Sequence, residues 1–193
     1  METLFFSAVA LFAAMLAGTQ ATFSGPCNTY EVEKRNQGYR KCSYFDSVGL
    51  RTVGVGFNLE KSGARQRITS VGANYDRVKA RSQCLNDAQI QTLFRQDMES
   101  SVSCVSNWLP NWSSLRNGPK SAVADMAFNL GCGGVQQFKK MKAALTQSPP
   151  NYSQAAIQMR SSLWCSQVGN RCNRDISCRN PYEHLPLQIE MRV

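Results

Sequence analysis

Asn36-Gln37-Gly38-Tyr39-Arg40, Tyr44-Phe45-Asp46-Ser47 and Thr52-Val53-Gly54-Val55-Gly56-Phe57 follow one another within residues 36–57, and their reading decides the fold. Residues 29–35, just before them, form a short helix that Gly38 ends. From Tyr39 to Phe45 the pattern becomes strand-like, Asp46-Ser47-Val48-Gly49 carries turn chemistry, and residues 50–59 alternate again. That is a β-hairpin with a glycine-rich second strand. Glycine inside a strand costs stability unless a backbone or a ligand must come close, so Gly54 and Gly56 mark a close approach.

Outward from the hairpin the chain changes period, and everything after Gly63 reads as helix. Asn86 is an N-cap with Gln89 in capping-box position, and Ile90, Leu93, Phe94, Val102, Val105 and Leu109 recur at helical spacing as one buried stripe. Pro119 opens the next helix, with Ala122, Val123, Met126, Ala127 and Leu130 inward and Gly131 as its stop. Phe138, Met141 and Leu145 mark another, ended by Pro149-Pro150. A further helix carries Ala155, Ala156, Met159, Leu163 and Trp164. The expected class is α+β, with a small hairpin lobe and a larger helical lobe.

Residues 4–16 are almost wholly apolar and residues 17–21 small or polar, the pattern of a secretory signal peptide with Thr19-Gln20-Ala21 as cleavage site. The apolar run is shorter than the ~20 residues of a spanning helix, so no stable membrane insertion is expected. The expected organisation is a signal peptide over 1–21 and one domain over 22–193, secreted and monomeric. All eight cysteines follow the leader, which in an exported chain implies a disulfide framework. Its connectivity is open among about 105 pairings. No closely spaced Cys/His pairs exist and His184 is the only histidine, so neither a metal nor another cofactor is expected, and no histidine-based nucleophile has a motif to support it. A net charge of +9, spread along the chain, suits anionic polymers. Asn111-Trp112-Ser113 and Asn151-Tyr152-Ser153 fit the N-glycosylation pattern.

Two acid-bearing segments around a hairpin invite a test for glycoside hydrolysis, which pairs a protonated carboxyl on the leaving oxygen with a second carboxylate across the sugar. Asp46 sits at the strand turn and Thr52 could hold a water on the same side. The general acid is then expected at the end of the preceding helix, where Gln37 stands. Here the sequence resembles the phage-type lysozymes, or muramidases, which carry Glu-x8-Asp-x5-Thr and a Thr-Ile-Gly-Ile-Gly-like strand. Ala127-Phe128-Asn129-Leu130-Gly131 with Gly134-Val135 and Phe138 is similar to that family's central helix and turn. Ala155-Ala156, Trp164, Asn170-Arg171 and Arg174 are similar to its last helices.

The resemblance implies two lobes flanking a cleft for bacterial peptidoglycan, with no role for nucleic acid. It implies that position 37 is the proton donor's, Asp46 the second carboxylate and Thr52 the water-holding hydroxyl. Phe128, Asn129 and Gln158 fall where the family lines its cleft, Arg171 where an arginine lies beside the catalytic Glu, and Arg174 where another pairs with the acid before it. The acidic pair expected before Gly38 is Asn36-Gln37. An amide accepts and donates hydrogen bonds but has no acidic proton to give. Glu33 lies one turn earlier on the same face, about 6 Å back by helical rise and too far without rearrangement. Three functions follow as expectations: a peptidoglycan binder with hydrolysis weakened or lost, an active antibacterial muramidase, or an extracellular structural or recognition protein on a recruited scaffold.

Overall fold

The computed structural model describes residues 25–178; the leader expected over 1–21 and His184 lie outside them. Helix α1 (Tyr30–Gln37) begins where Thr29 Oγ1 accepts the Val32 amide, and stops at Gly38, whose φ of 77° suits a residue without Cβ. Strand β1 (Arg40–Phe45) then pairs antiparallel with β2 (Arg51–Gly54), placing Tyr44 opposite Thr52 and Phe45 opposite Arg51.

The single strand expected over 50–59 is two. β2 turns back at Val55-Gly56 into β3 (Phe57–Asn58), which pairs with it through Thr52–Asn58 and Val53–Phe57. The alternation continues through the reversal and so hides it, but both glycines have positive φ, 68° at Gly54 and 70° at Gly56. A Cβ on Gly54 would stand 2.9 Å from Ile90 Cγ2. That is the close approach the glycines implied, and it seats the sheet on the first turn of the long helix α4.

Helices α2 (Ala64–Ser70) and α3 (Tyr75–Lys79) connect the sheet to α4 (Asp87–Trp108). The capping box forms in full: Asn86 Oδ1 accepts the Gln89 amide and Gln89 Oε1 accepts the Asn86 amide, each at 2.9 Å. Ile90, Leu93, Phe94 and Val105 are buried as the stripe requires, with Val102 packed at its edge. Along α4 lies α5 (Asn117–Val135), which starts two residues before Pro119; its first run stops at Gly131 as expected, where φ of 72° and ψ of 167° break the helix, and a short second helical stretch carries on to Val135. α6 (Lys139–Leu145) follows.

The helix expected to run through Trp164 is also two, α7 (Tyr152–Arg160) and α8 (Leu163–Val168). Ser162 Oγ accepts the Cys165 amide at 3.1 Å and restarts the helix. The new phase buries Trp164 and leaves Leu163 74% exposed, so Leu163 is surface and not core. α9 (Asn170–Ser177) closes the described chain. The α+β class holds: one small sheet against a helical majority.

All eight cysteines are paired, as Cys27–Cys178, Cys42–Cys84, Cys104–Cys132 and Cys165–Cys172. Among the described residues no helix is long and apolar enough to cross a membrane. The basic residues are spread along the chain, but the acidic ones are not. Surface ion pairs such as Lys41–Asp87, Lys61–Asp97 and Arg65–Asp76 lie in the first half. Residues 100–178 contain two carboxylates, Asp125 and Asp175, and both are buried. The exposed Lys139, Lys140, Arg160 and Arg174 therefore share that half of the chain with no exposed carboxylate.

Candidate active site

A cleft of about 850 Å³ opens between the sheet and the helical lobe. Its wall on the sheet side carries Gln37, Asp46 and Thr52, and its far wall carries Phe128 and Asn129. Five of the residues assigned by sequence are thus brought together.

Each is held by local structure. Asp46 opens the hairpin turn, and its Oδ1 accepts the amides of Val48 at 3.0 Å and Leu50 at 2.8 Å, a bonding pattern typical of Asp in turns. Its Oδ2 lies 3.4 Å from the Thr52 hydroxyl, which also reaches the Leu50 carbonyl at 3.2 Å. Thr52 is buried and Asp46 half-buried, so the carboxylate is oriented before any ligand arrives. Gln37 ends α1 half-buried, and its side chain lies over Gly56, where a Cβ would sit 3.2 Å from its Cδ. Gly56 therefore makes room for the group at position 37. Across the cleft, Asn129 Oδ1 accepts the Trp164 indole N–H at 2.8 Å, and the Phe128 ring packs tilted on Phe94 at 5.4 Å.

Gln158 and Arg171 lie elsewhere. Gln158 is half-buried on α7 and does not line the cleft. Arg171 is 4% exposed, with its guanidinium inside the protein. Its Nε and Nη2 donate to the two oxygens of Asp125 at 2.8 and 2.6 Å, and Nη2 also reaches Glu33 Oε2 at 3.1 Å. The arginine expected beside position 37 thus bonds the acid one turn earlier. Arg174 does meet its expected position, donating to Asn36 Oδ1.

Glu33 is completely buried and absent from the cleft wall, so it does not face a bound glycan. Burial pushes its carboxyl up to about 10, with the neighbouring Asp125 adding to the shift and Arg171 opposing it. Asp175, also buried, is pushed up to about 10 by burial and then by Asp125. Burial pulls the Arg171 pKa down, but the charges of Asp125 and then Glu33 outweigh it and raise the balance. The cluster therefore centres on the Arg171–Asp125 contact, and burial disfavours the charged form of the two acids beside it, Glu33 and Asp175, as expected where isolated buried charge is costly. Sequence reasoning did not find Asp125 or Asp175. Both left a signal, Asp125 as a charge amid the apolar run of α5 and Asp175 one helical turn after Arg171. No group of His, Cys, Asp and Glu among the described residues is arranged to hold a metal ion.

The phage lysozyme family matches residues 34–177 of the chain. "Probable T4-type lysozyme 2" of Dictyostelium discoideum is 26% identical over 155 residues, covering 76% of this chain and 90% of that protein. "Probable T4-type lysozyme 1" of the same organism is 23% identical over an equal span. The pre-baseplate central spike protein Gp5 of Enterobacteria phage T4 is 28% identical over 152 residues, which cover 75% of this chain and 26% of that longer protein.

Proposed function

Since the chain belongs to the phage lysozyme family, we propose that its cleft binds the glycan strand of bacterial peptidoglycan, with hydrolysis weakened or lost because Gln37 stands at the general-acid position. The observation that carries this reading is what α1 presents to the cleft. Its end offers two amides, Asn36 and Gln37, while its nearest carboxyl, Glu33, faces inward and is sealed against Arg171.

The rest of the site suits a sugar polymer. Asp46 and Thr52 form an oriented carboxylate–hydroxyl pair, which can place a water or stabilise positive charge at an anomeric carbon. Asn129, fixed by Trp164, and Phe128 offer a polar and an apolar contact opposite. Breaking the glycosidic bond also needs a proton on the leaving oxygen, and the Gln37 amide can only hydrogen-bond that oxygen. Losing a general acid costs about 10²–10⁴ in rate. Export fits the four disulfides, which persist in oxidising compartments.

Gln37→Glu tests the reading. The two side chains have nearly the same shape, and Gly56 leaves the space either needs. Release of soluble fragments from bacterial walls should rise by about two orders of magnitude over the natural protein. Asp46→Asn added to that variant should remove the gain. Equal rates for the folded natural and Gln37→Glu proteins would mean that position 37 is a packing position. Rapid wall clearing by the natural protein would make it an active muramidase. Failure to bind any amino-sugar polymer would instead leave the recruited-scaffold role.

A further inference from the structure

Two Asn-x-Ser sequons bracket the C-terminal end of α6, and the fold treats their side chains in opposite ways. Asn111 lies on the inner side. Its Nδ2 donates to the Leu145 carbonyl at 2.9 Å, and its Oδ1 is buried without a hydrogen-bond partner among the described residues. Leu145 itself is 2% exposed. Asn111 is half-buried, and a sugar on its Nδ2 would have to be placed against the buried Leu145, whose carbonyl that nitrogen already contacts.

Asn151 lies on the outer side. Its backbone amide donates to the Ala144 carbonyl at 2.9 Å, and its side chain caps α7 by accepting the Gln154 amide on Oδ1, also at 2.9 Å. The residue is exposed, and Nδ2 has no hydrogen-bond partner among the described residues. Capping uses only the side-chain carbonyl, and an amide carrying a sugar on nitrogen keeps that carbonyl. A glycan there is compatible with the start of α7 as it stands. Neither Asn151 nor the residues beside it line the cleft, so the attached sugar leaves the glycan site open.

We propose that Asn151 is the N-glycan acceptor of this protein and that Asn111 is not modified. In the transfer, Asn151 Nδ2 loses one proton and bonds to C1 of the first amino sugar of a lipid-diphosphate-linked oligosaccharide. The C1–O bond to the diphosphate breaks, and the carrier leaves as the free diphosphate with those electrons. The assignment rests on side-chain geometry and on the export read above, and is independent of whether the cleft hydrolyses its ligand.

The test is expression of the full chain in a eukaryotic secretory host, followed by amidase deglycosylation in ¹⁸O water and peptide mass spectrometry. The expected result is one glycan per chain, with the labelled Asp at position 151 and unmodified Asn at 111. Asn151→Asp keeps the capping oxygen and removes the acceptor, so this variant should be secreted folded with the glycan gone. Ser113→Ala destroys the other sequon without touching Asn111 and should leave the glycan mass unchanged. Label at Asn111 in folded protein, a glycan that survives Asn151→Asp, or a secreted chain with no glycan would each overturn the proposal.

Discussion

Replacing Glu33 by glutamine asks how charge is arranged on the buried face of α1. Glu33 has no exposed surface, and its Oε2 accepts from Arg171 at 3.1 Å, while Arg171 holds Asp125 more closely at 2.6 Å. If Glu33 is a neutral acid raised to about 10, chiefly by burial, it keeps its proton in the fold at pH 7. The unfolded chain releases that proton near the ordinary glutamate value of about 4.3. A raised folded pKa contributes stability that is fully present below about pH 4 and is lost as pH rises toward 10. Each unit in that window favours unfolding by about 1.4 kcal/mol, so at pH 7 the cost reaches roughly 3–4 kcal/mol. The amide in the variant does not titrate in either state, and its carbonyl can still accept from Arg171. Allowing for the weak Asn36 contact to Glu33 that changes, Glu33→Gln should stabilise the protein at pH 7 by about 1–3 kcal/mol. Urea unfolding with the disulfides intact, at pH 5, 7 and 9, should show the advantage of the variant growing with pH. A loss of about 3–5 kcal/mol, equal at all three values, is what breaking a buried ion pair costs and would refute the neutral-acid arrangement.

Gly54→Ala places a methyl 2.9 Å from Ile90 Cγ2 at a φ of 68°, and strain and overpacking together should cost about 2–5 kcal/mol. A melting temperature within a degree or two of the natural protein would show that the sheet does not depend on that approach to α4. Wall retention should fall steeply between ~0.01 M salt, where charges act over about 30 Å, and ~1 M, where they act over about 3 Å. Lys139→Ala with Lys140→Ala should weaken low-salt retention. Retention indifferent to both salt and these lysines would separate binding from the exposed positive charge of residues 100–178.

Much of the fold was legible because its signals are local. Thr29, Asn86 and Gln89 cap helices through their own neighbours, and the helical stripe of Ile90, Leu93 and Phe94 has no competing period. The spacing from Asp46 to Thr52 translates directly into a turn and the strand after it. Readings failed where local patterns were ambiguous or partners were distant. Val55-Gly56 continues an alternating pattern through a chain reversal, since period two does not distinguish a strand from a strand with a tight turn. Ser161-Ser162 looked like helix interior until the Ser162 side chain turned to cap α8. The partner of Arg171 depends on α1, α5 and α9 meeting, with Arg171 and Glu33 138 positions apart, and no spacing rule reports which carboxyl wins that contact. The same distance in sequence kept the cysteine pairing open.

The pairing that emerged has a consequence for how the molecule is made. Cys27–Cys178 encloses the other three bridges, which follow one another as separate loops, 42–84, 104–132 and 165–172, and none crosses another. A chain entering an oxidising compartment from its N-terminus can close each inner loop between neighbouring cysteines as soon as the second arrives. Cys27 arrives first and must remain unpaired until all the others have joined, so the earliest available partner, Cys42, is the wrong one. In an oxidising compartment a Cys27–Cys42 bond would be the first mispair that the order of emergence offers, and Cys27–Cys178, formed last, closes the chain over the three inner loops.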